Sequence, residues 1–201
     1  MAKDYVRLAT QMEHAVDRTR EVLEKGGVAV FPTETVYGIG VVSGNANALE
    51  KLRELKHREP DKPFQFLVLD AAMAVDMGAV FSSKAHNLAR DYWPGPMTLV
   101  VPDGSGTGTL GIRVPDSPFV LQLLRALGRP IIASSANRQG ENPPRAAEEA
   151  DVFGNDVDIL ADGGKIADGI PSTVVLATKN DCRILREGGI SADDIESAWN
   201  G

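Results

Sequence analysis

GGVAVFPTETVYGIG, residues Gly26–Gly40, sets the first constraint on the fold. A short apolar strand, Val28 to Phe31, runs into a Pro-Thr-Glu-Thr turn, and a second short strand follows near Ile39 to Val42. Taken alone, this is a strand end and a turn. Three further polar islands abut apolar strands, however: LKHREPDKPF at Leu55–Phe64, IIASSAN at Ile131–Asn137 and GIPSTVV at Gly169–Val175. In an open α/β sheet, ligands sit in the crevice outside strand ends. Four such islands therefore point to one shared site.

Composition limits the class. The chain has 201 residues, 43% of them hydrophobic, with 20 Gly and 12 Pro, which fits one compact domain, with or without a small lobe. Apolar runs are a few residues long, short of the roughly 18 needed to span a bilayer. The charged start MAKDYVR lacks the apolar core of a signal peptide, so the expected location is the cytoplasm, with no membrane partner. One cysteine, Cys182, excludes an internal disulfide and a cysteine-based zinc site. His14, His57 and His86 are scattered, so no metal-ligand spacing exists.

A net charge of −7 argues against an extended basic face for nucleic acid. The cations that matter are local. Lys56, Arg58, Lys62, Arg113 and Arg186 lie in or beside the strand-edge motifs, while acids crowd the helical stretches. A cationic pocket in an acidic shell focuses a small polyanion.

Periodicity gives an alternating order of elements. Tyr5 to Ala9 reads as a strand, and Thr10 with Glu13 as a capping box for a helix to about Lys25. Asn45 caps a helix to about His57, and Pro60 and Pro63 then force an irregular link to a strand at Phe64–Leu69. Further helices are expected at Ser83–Tyr92, at Pro118–Leu127 between Asp116 as cap and Gly128 as stop, and at Ala192–Trp199. Strands are expected at Met97–Val101, Leu110–Val114, Pro130–Ala133, Val157–Leu160, Thr173–Ala177 and Arg183–Arg186. Many strands between helices, some joined by short links, predict an α/β (α+β) fold with a twisted, mixed open sheet.

Familiar catalytic motifs are missing or out of context. Gly106, Gly108 and Gly111 match G-x-G-x-x-G but lead into a strand, where a dinucleotide fingerprint must lead into a helix. No Walker phosphate loop occurs, and no nucleophile elbow surrounds Ser134 or Ser135. The glycine-rich stretch DGSGTGTLG, Asp103–Gly111, is either a hairpin connection or a cover for the site.

The ordered set PTETVYG, Lys56-x-Arg58, WPGPMTLV at Trp93–Val100, IRVP around Arg113, SAN at Ser135–Asn137, ST at Ser172–Thr173 and LREG at Leu185–Gly188 resembles the YrdC-like family, the threonylcarbamoyl-adenylate synthases. The resemblance runs from about Ala15 to Gly189 and implies a single YrdC-like domain, 1–201, of the short form, YrdC/RibB-like in fold, with a concave cationic cavity. It departs from the family pattern at Pro143 and Pro171, where a serine and a glutamate are usual, and near Phe66 and Leu67, where longer members carry a histidine.

What it implies is a nucleotidyltransferase that joins L-threonine, bicarbonate and ATP into threonylcarbamoyl-AMP, releasing pyrophosphate, with Mg²⁺ carried in on the nucleotide. The product would pass to a downstream tRNA-modifying transferase complex. By position, Lys56 and Arg58 are the catalytic candidates. Arg58, Lys62, Thr109, Ser135, Asn137 and Arg186 form the ATP set, and Thr33, Arg113 and Ser172 the threonine set, with Tyr37 in the pocket wall. The protein itself is expected to supply no metal ligands. Alignment and charge stabilisation suffice for such an attack on phosphorus, which agrees with cations and hydroxyls in place of a triad. Two alternatives stay open: a related carbamoyl-adenylate enzyme with another acceptor, or a module binding double-stranded RNA weakly.

Overall fold

Helix ends follow the side chains that satisfy the first free N–H groups. In the computed structural model, which describes residues 4–58 and 62–201, helix α2 (Ala46–Lys56) starts where Asn45 Oδ1 accepts from Ala48 N at 3.1 Å, and it stops at His57 in the left-handed region. Helix α5 (Pro118–Leu127) is capped by Ser117 rather than Asp116, because it is the Ser117 hydroxyl that accepts from Val120 N, and Gly128 closes it. Helix α1 (Leu8–Glu24) begins two residues ahead of Thr10, which therefore lies within its first turn; strand β1 ends at Arg7 (Asp4–Arg7). Helices α4 (Ser83–Tyr92) and α7 (Ala192–Asn200) lie where periodicity predicts them. Short α3 (Ala71–Asp76) and α6 (Ala147–Ala150), with a 3₁₀ turn at Asp151–Asp156, were unpredicted, since pieces this short carry no full period. Pro60 lies outside the described residues.

Strands β2 (Ala29–Pro32), β3 (Tyr37–Val42), β4 (Gln65–Leu67), β5 (Met97–Pro102), β6 (Thr109–Arg113), β7 (Ile131–Ser135), β8 (Ile159–Asp162), β9 (Thr173–Ala177) and β10 (Cys182–Arg186) join β1 in one sheet, in the order β1-β8-β2-β3-β7-β4-β6-β5-β9-β10. Parallel pairs (β1 with β8, β2 with β8, β4 with β6, β5 with β9) mix with antiparallel ones, as expected for a mixed sheet. Strand β4 is shorter than Phe64–Leu69, and β7 runs two residues past Ala133, so that Ser135 is part of the sheet. The glycine-rich stretch is the β5–β6 hairpin connection, closed by Asp103 N donating to Gly108 O and by the Asp103 carboxylate accepting from Ser105 and Gly108.

Layering decides where a ligand can enter. On one face, α2 and α6 pack Ala48, Leu52 and Ala147 against Val30, Ile39 and Ile132, and further along α3, α4 and α7 pack against Leu99, Ile112 and Val175. Phe66 on β4 touches both clusters, so that face is covered throughout. On the opposite face, α1 and α5 cover Ala29, Phe31 and Ile131 with Leu23, Phe119 and Leu123. That cover stops near β4. The same face of β4, β6, β5, β9 and β10 lines a cavity instead.

Candidate functional site

Side chains two residues apart on a strand share a face, and this builds the cavity floor. Thr98 and Val100 of β5, Thr109, Gly111 and Arg113 of β6, Gln65 of β4, Ala133 and Ser135 of β7, Ser172 and Val174 at β9, and Arg186 of β10 all face a cavity of about 490 Å³. Their neighbours Met97, Leu99, Leu110 and Ile112 lie on the covered face. Thr35 and Val36 of the PTET turn and Arg58, Pro63 and Phe64 complete the wall.

Three arginines, Arg58, Arg113 and Arg186, line this space together with no carboxylate. Arg113 is 3% exposed and held on three sides: Nε donates to Gly95 O at 3.1 Å, and Nη2 to Glu34 Oε1 at 2.6 Å and to Thr35 Oγ1 at 2.9 Å. Nη1 has no partner among the described residues. A two-pronged grip on a carboxylate thus requires Glu34 or Thr35 to release Nη2. Arg186 Nη2 donates to Ser172 O at 2.7 Å and to Ser172 Oγ at 3.2 Å. Gly188 makes this approach feasible: a Cβ there would lie 2.1 Å from Pro171 O. Arg58 leaves the αL end of α2, stacks over the Phe64 ring at 4.5 Å, and donates to Lys62 O at 2.7 Å, Pro63 O at 2.5 Å and Ser134 Oγ at 3.3 Å. Burial, and then a like-charged neighbour, lowers the pKa of Arg58 (beside Arg53) and of Arg186 (beside Arg113). A bound anion would relieve both effects.

Lys56 does not line the cavity. Ala48, Leu52 and Lys56 are four residues apart, so the lysine continues the buried stripe of α2 and is only 6% exposed. Its Nζ donates to Ser135 O at 2.7 Å and to Asn137 O, fixing the loop that carries Ser135. Burial, then the Arg58 charge, lowers its pKa to about 8, against a smaller opposing pull from Glu141. Lys56 is therefore a cation at neutral pH and loses its charge as pH rises through about 8. The unfolded chain still binds that proton up to its ordinary pKa of 10.5, so this residue's contribution to stability rises with pH between about 8 and 10.5. Lys56→Met is expected to remove that rise. Equal slopes of melting temperature against pH for wild type and variant in that window would refute the assignment.

Other candidates stand apart from the cavity. Thr33 is 8% exposed, and its hydroxyl donates to Val36 O at 2.7 Å and meets Thr35 Oγ1 at 2.8 Å, so it shapes the turn while Thr35 reaches the cavity. Tyr37 is fully buried, its hydroxyl donating to Gly164 O at 2.8 Å and accepting from Gly163 N at 3.0 Å, and it is absent from the cavity wall. Lys62 is exposed and meets Arg58 through its carbonyl. Asn137 turns its Nδ2 to Arg138 O and Glu141 O, both at 2.8 Å, leaving Oδ1 buried without a partner. Gln65, Thr98 and Glu34 escaped the sequence reading. The odd-even parity of β4 and β5 was the available signal for the first two; the Arg113 pairing of Glu34 had none. Among the described residues, no group of three or more His, Cys, Asp or Glu could hold a metal, and no helix is long and apolar enough to cross a membrane.

Fold and cavity together define a mixed α/β protein with an arginine-lined, carboxylate-free pocket on the open half of its sheet. The Sua5/YciO/YrdC family model, described as telomere recombination, matches residues 21–188, and the chain belongs to this family. It is 37% identical over 187 residues to the threonylcarbamoyl-AMP synthase of Bacillus subtilis, covering 88% of this chain and 54% of that protein. It is 35% identical to the threonylcarbamoyl-AMP synthase of Chromohalobacter salexigens, covering 81% of this chain and 94% of that one. The crystal structure of P. abyssi Sua5 complexed with L-threonine superposes with a TM-score of 0.88 at 30% identity, over 98% of this chain and 61% of that one. The chain thus spans about half the length of the B. subtilis relative.

Proposed function

We propose that the protein is a nucleotidyltransferase that forms threonylcarbamoyl-AMP and pyrophosphate from L-threonine, bicarbonate and ATP. The observation that carries this reading is the convergence of Arg58, Arg113 and Arg186 on one carboxylate-free cavity, beside hydroxyls on the same sheet face. Relatives that bear the name of this enzyme, and a similar structure holding L-threonine, support it.

In this reading the threonine amine adds to the bicarbonate carbon and a C–O bond breaks with loss of water to give a carbamate, whose oxygen attacks the α-phosphorus as pyrophosphate departs. No covalent enzyme intermediate is needed. Arg58 and Arg186 neutralise the triphosphate from opposite sides of the cavity, which matters most as charge builds on the leaving pyrophosphate. Mg²⁺ enters with the nucleotide. Ser135 and Thr109, both in the wall, contact the nucleotide, and Asn137 supports the loop that carries Ser135. Arg113 takes the amino-acid carboxylate. Lys56 acts through the Ser135–Asn137 loop as a positioning residue, and Lys62 meets the outer phosphates from the rim. The labile product calls for a tRNA-modifying transferase as its consumer.

Incubation of the protein with ATP, Mg²⁺, bicarbonate and L-threonine is expected to release pyrophosphate and yield a species with the mass of threonylcarbamoyl-AMP, each dependent on all four components. Pyrophosphate release that ignores bicarbonate or threonine would overturn the assignment.

A further inference from the structure

Across the cavity floor, hydroxyls connect Arg186 to the side chain of Gln65. Arg186 Nη2 donates to Ser172 Oγ at 3.2 Å, Ser172 Oγ meets Thr98 Oγ1 at 2.9 Å, and Thr98 Oγ1 donates to Gln65 Oε1 at 2.9 Å. A hydroxyl has one proton. With the Thr98 proton given to Gln65, Ser172 must donate to Thr98, so its proton is not available to a ligand. The chain ends at Gln65 Nε2, which has no partner among the described residues, on a side chain that lines the cavity.

The register shows what surrounds that amide. Gln65 lies opposite Ala133 on β7 and opposite Gly111 on β6, and Gly111 in turn lies opposite Val100 on β5. β6 lies between β4 and β5, and Gln65 and Thr98 meet across Gly111, where a Cβ would be in ordinary contact with both at 3.9 Å. Arg113 follows two residues along β6 from Gly111 and lines the same cavity, so the group read as holding the amino-acid carboxylate lies near this amide. A neutral polar group in a row of small apolar residues suits a neutral polar atom next to a methyl group.

We propose that Gln65 determines specificity, its amide hydrogen-bonding the side-chain hydroxyl of the amino-acid substrate while Ala133, Gly111 and Val100 accommodate the methyl. This rests on the amino-acid reading of the cavity given above. Burying the amide against an unhydroxylated side chain leaves it unpaired, and sites built to bond a hydroxyl reject the analogue lacking it far better than they detect a missing methyl.

The test measures kcat/KM for pyrophosphate release with threonine and with valine, its near-isostere without the hydroxyl, in wild type and in Gln65→Met. Met has similar length and no strong donor. Wild type is expected to favour threonine by roughly a hundredfold or more, and Gln65→Met by less than about tenfold, with valine turnover rising or unchanged. A threonine-to-valine ratio unaltered by the substitution overturns the proposal, even where both rates fall. If Gln65→Met does not fold by circular dichroism, Thr98→Val carries the test: it releases Oε1 and must also narrow the ratio. An unchanged ratio there overturns the proposal equally. Wild-type protein that uses threonine and valine equally refutes the Gln65 role alone, whereas no bicarbonate-dependent turnover with any amino acid refutes the adenylate-forming reading on which it rests.

Discussion

Arg113→Leu is expected to lower kcat/KM for threonine by between thirtyfold and several thousandfold, the loss of roughly 2 to 5 kcal/mol that follows truncation of a buried, hydrogen-bonded charge. The guanidinium is fixed by Gly95 O, Glu34 and Thr35, so the incoming carboxylate meets a donor that is already oriented. The effect should appear in KM for threonine far more than in KM for ATP. Part of the damage is structural, because Glu34 is left without its partner. Its Oε2 is already buried without a hydrogen bond, and only Oε1 is compensated. Arg113→Leu is therefore expected to lose about 1 to 3 kcal/mol of stability through the unsatisfied carboxylate. The double variant Arg113→Leu/Glu34→Gln should recover most of that stability in a urea melt and none of the threonine affinity. Recovery of turnover by the double variant, or an unchanged threonine KM in the single one, would remove Arg113 from the amino-acid site.

Arg58→Ala and Arg186→Ala should each reduce kcat/KM for ATP by roughly thirtyfold to a thousandfold, about 2 to 4 kcal/mol. One arginine follows the end of α2 and the other is the last residue of β10, so they reach the cavity from different elements. Because both hold the same triphosphate, their losses should couple rather than simply add. Arg58 also clamps the backbone at Lys62 and Pro63, so its alanine variant mixes a lost charge with a loosened link. Arg58→Lys separates these effects: it keeps the charge, gives up the planar fork, and should restore only part of the ATP term. Arg186→Ala further removes the donor that begins the floor network, so its threonine KM should rise as well. Unchanged kinetics in both alanine variants would make these arginines surface groups.

Much of the architecture could be read before any coordinates. Asn45, Ser83–Tyr92, Gly128 and the β-branched runs of β5 and β9 placed their elements because capping, αL termination and strand propensity are local effects. Arg58, Arg113 and Arg186 stand out in the sequence by their place beside strand-edge motifs, Ser135, Ser172 and Thr109 through the family resemblance, and all six line the cavity. Failures cluster where two neighbouring residues compete for one local role. Ser117 and Asp116 are both good caps, and the packing that fixes the start of α5 chose the serine. Thr33 and Thr35 are equivalent in a linear reading, yet the first closes the turn and the second faces the cavity. Lys56 looked catalytic beside Arg58, but its spacing of four from Leu52 already placed it on the buried side of α2.

Local chemistry in the chain by itself determined the element types, most helix ends and the cationic character of the strand-edge motifs, since these depend on residues within a few positions of one another. Only the tertiary structure decided which face of each strand stays open. That outcome depends on α1 and α5 covering one half of a sheet face and leaving the other half bare, a packing of elements far apart in sequence. The same long-range order brings Gln65, Thr98, Ser172 and Arg186 from four strands or strand edges into one hydrogen-bonded line. It also pairs Glu34 with Arg113 across 79 positions. Side-chain parity is a property of each strand, but which parity meets ligand is set by what packs on the sheet.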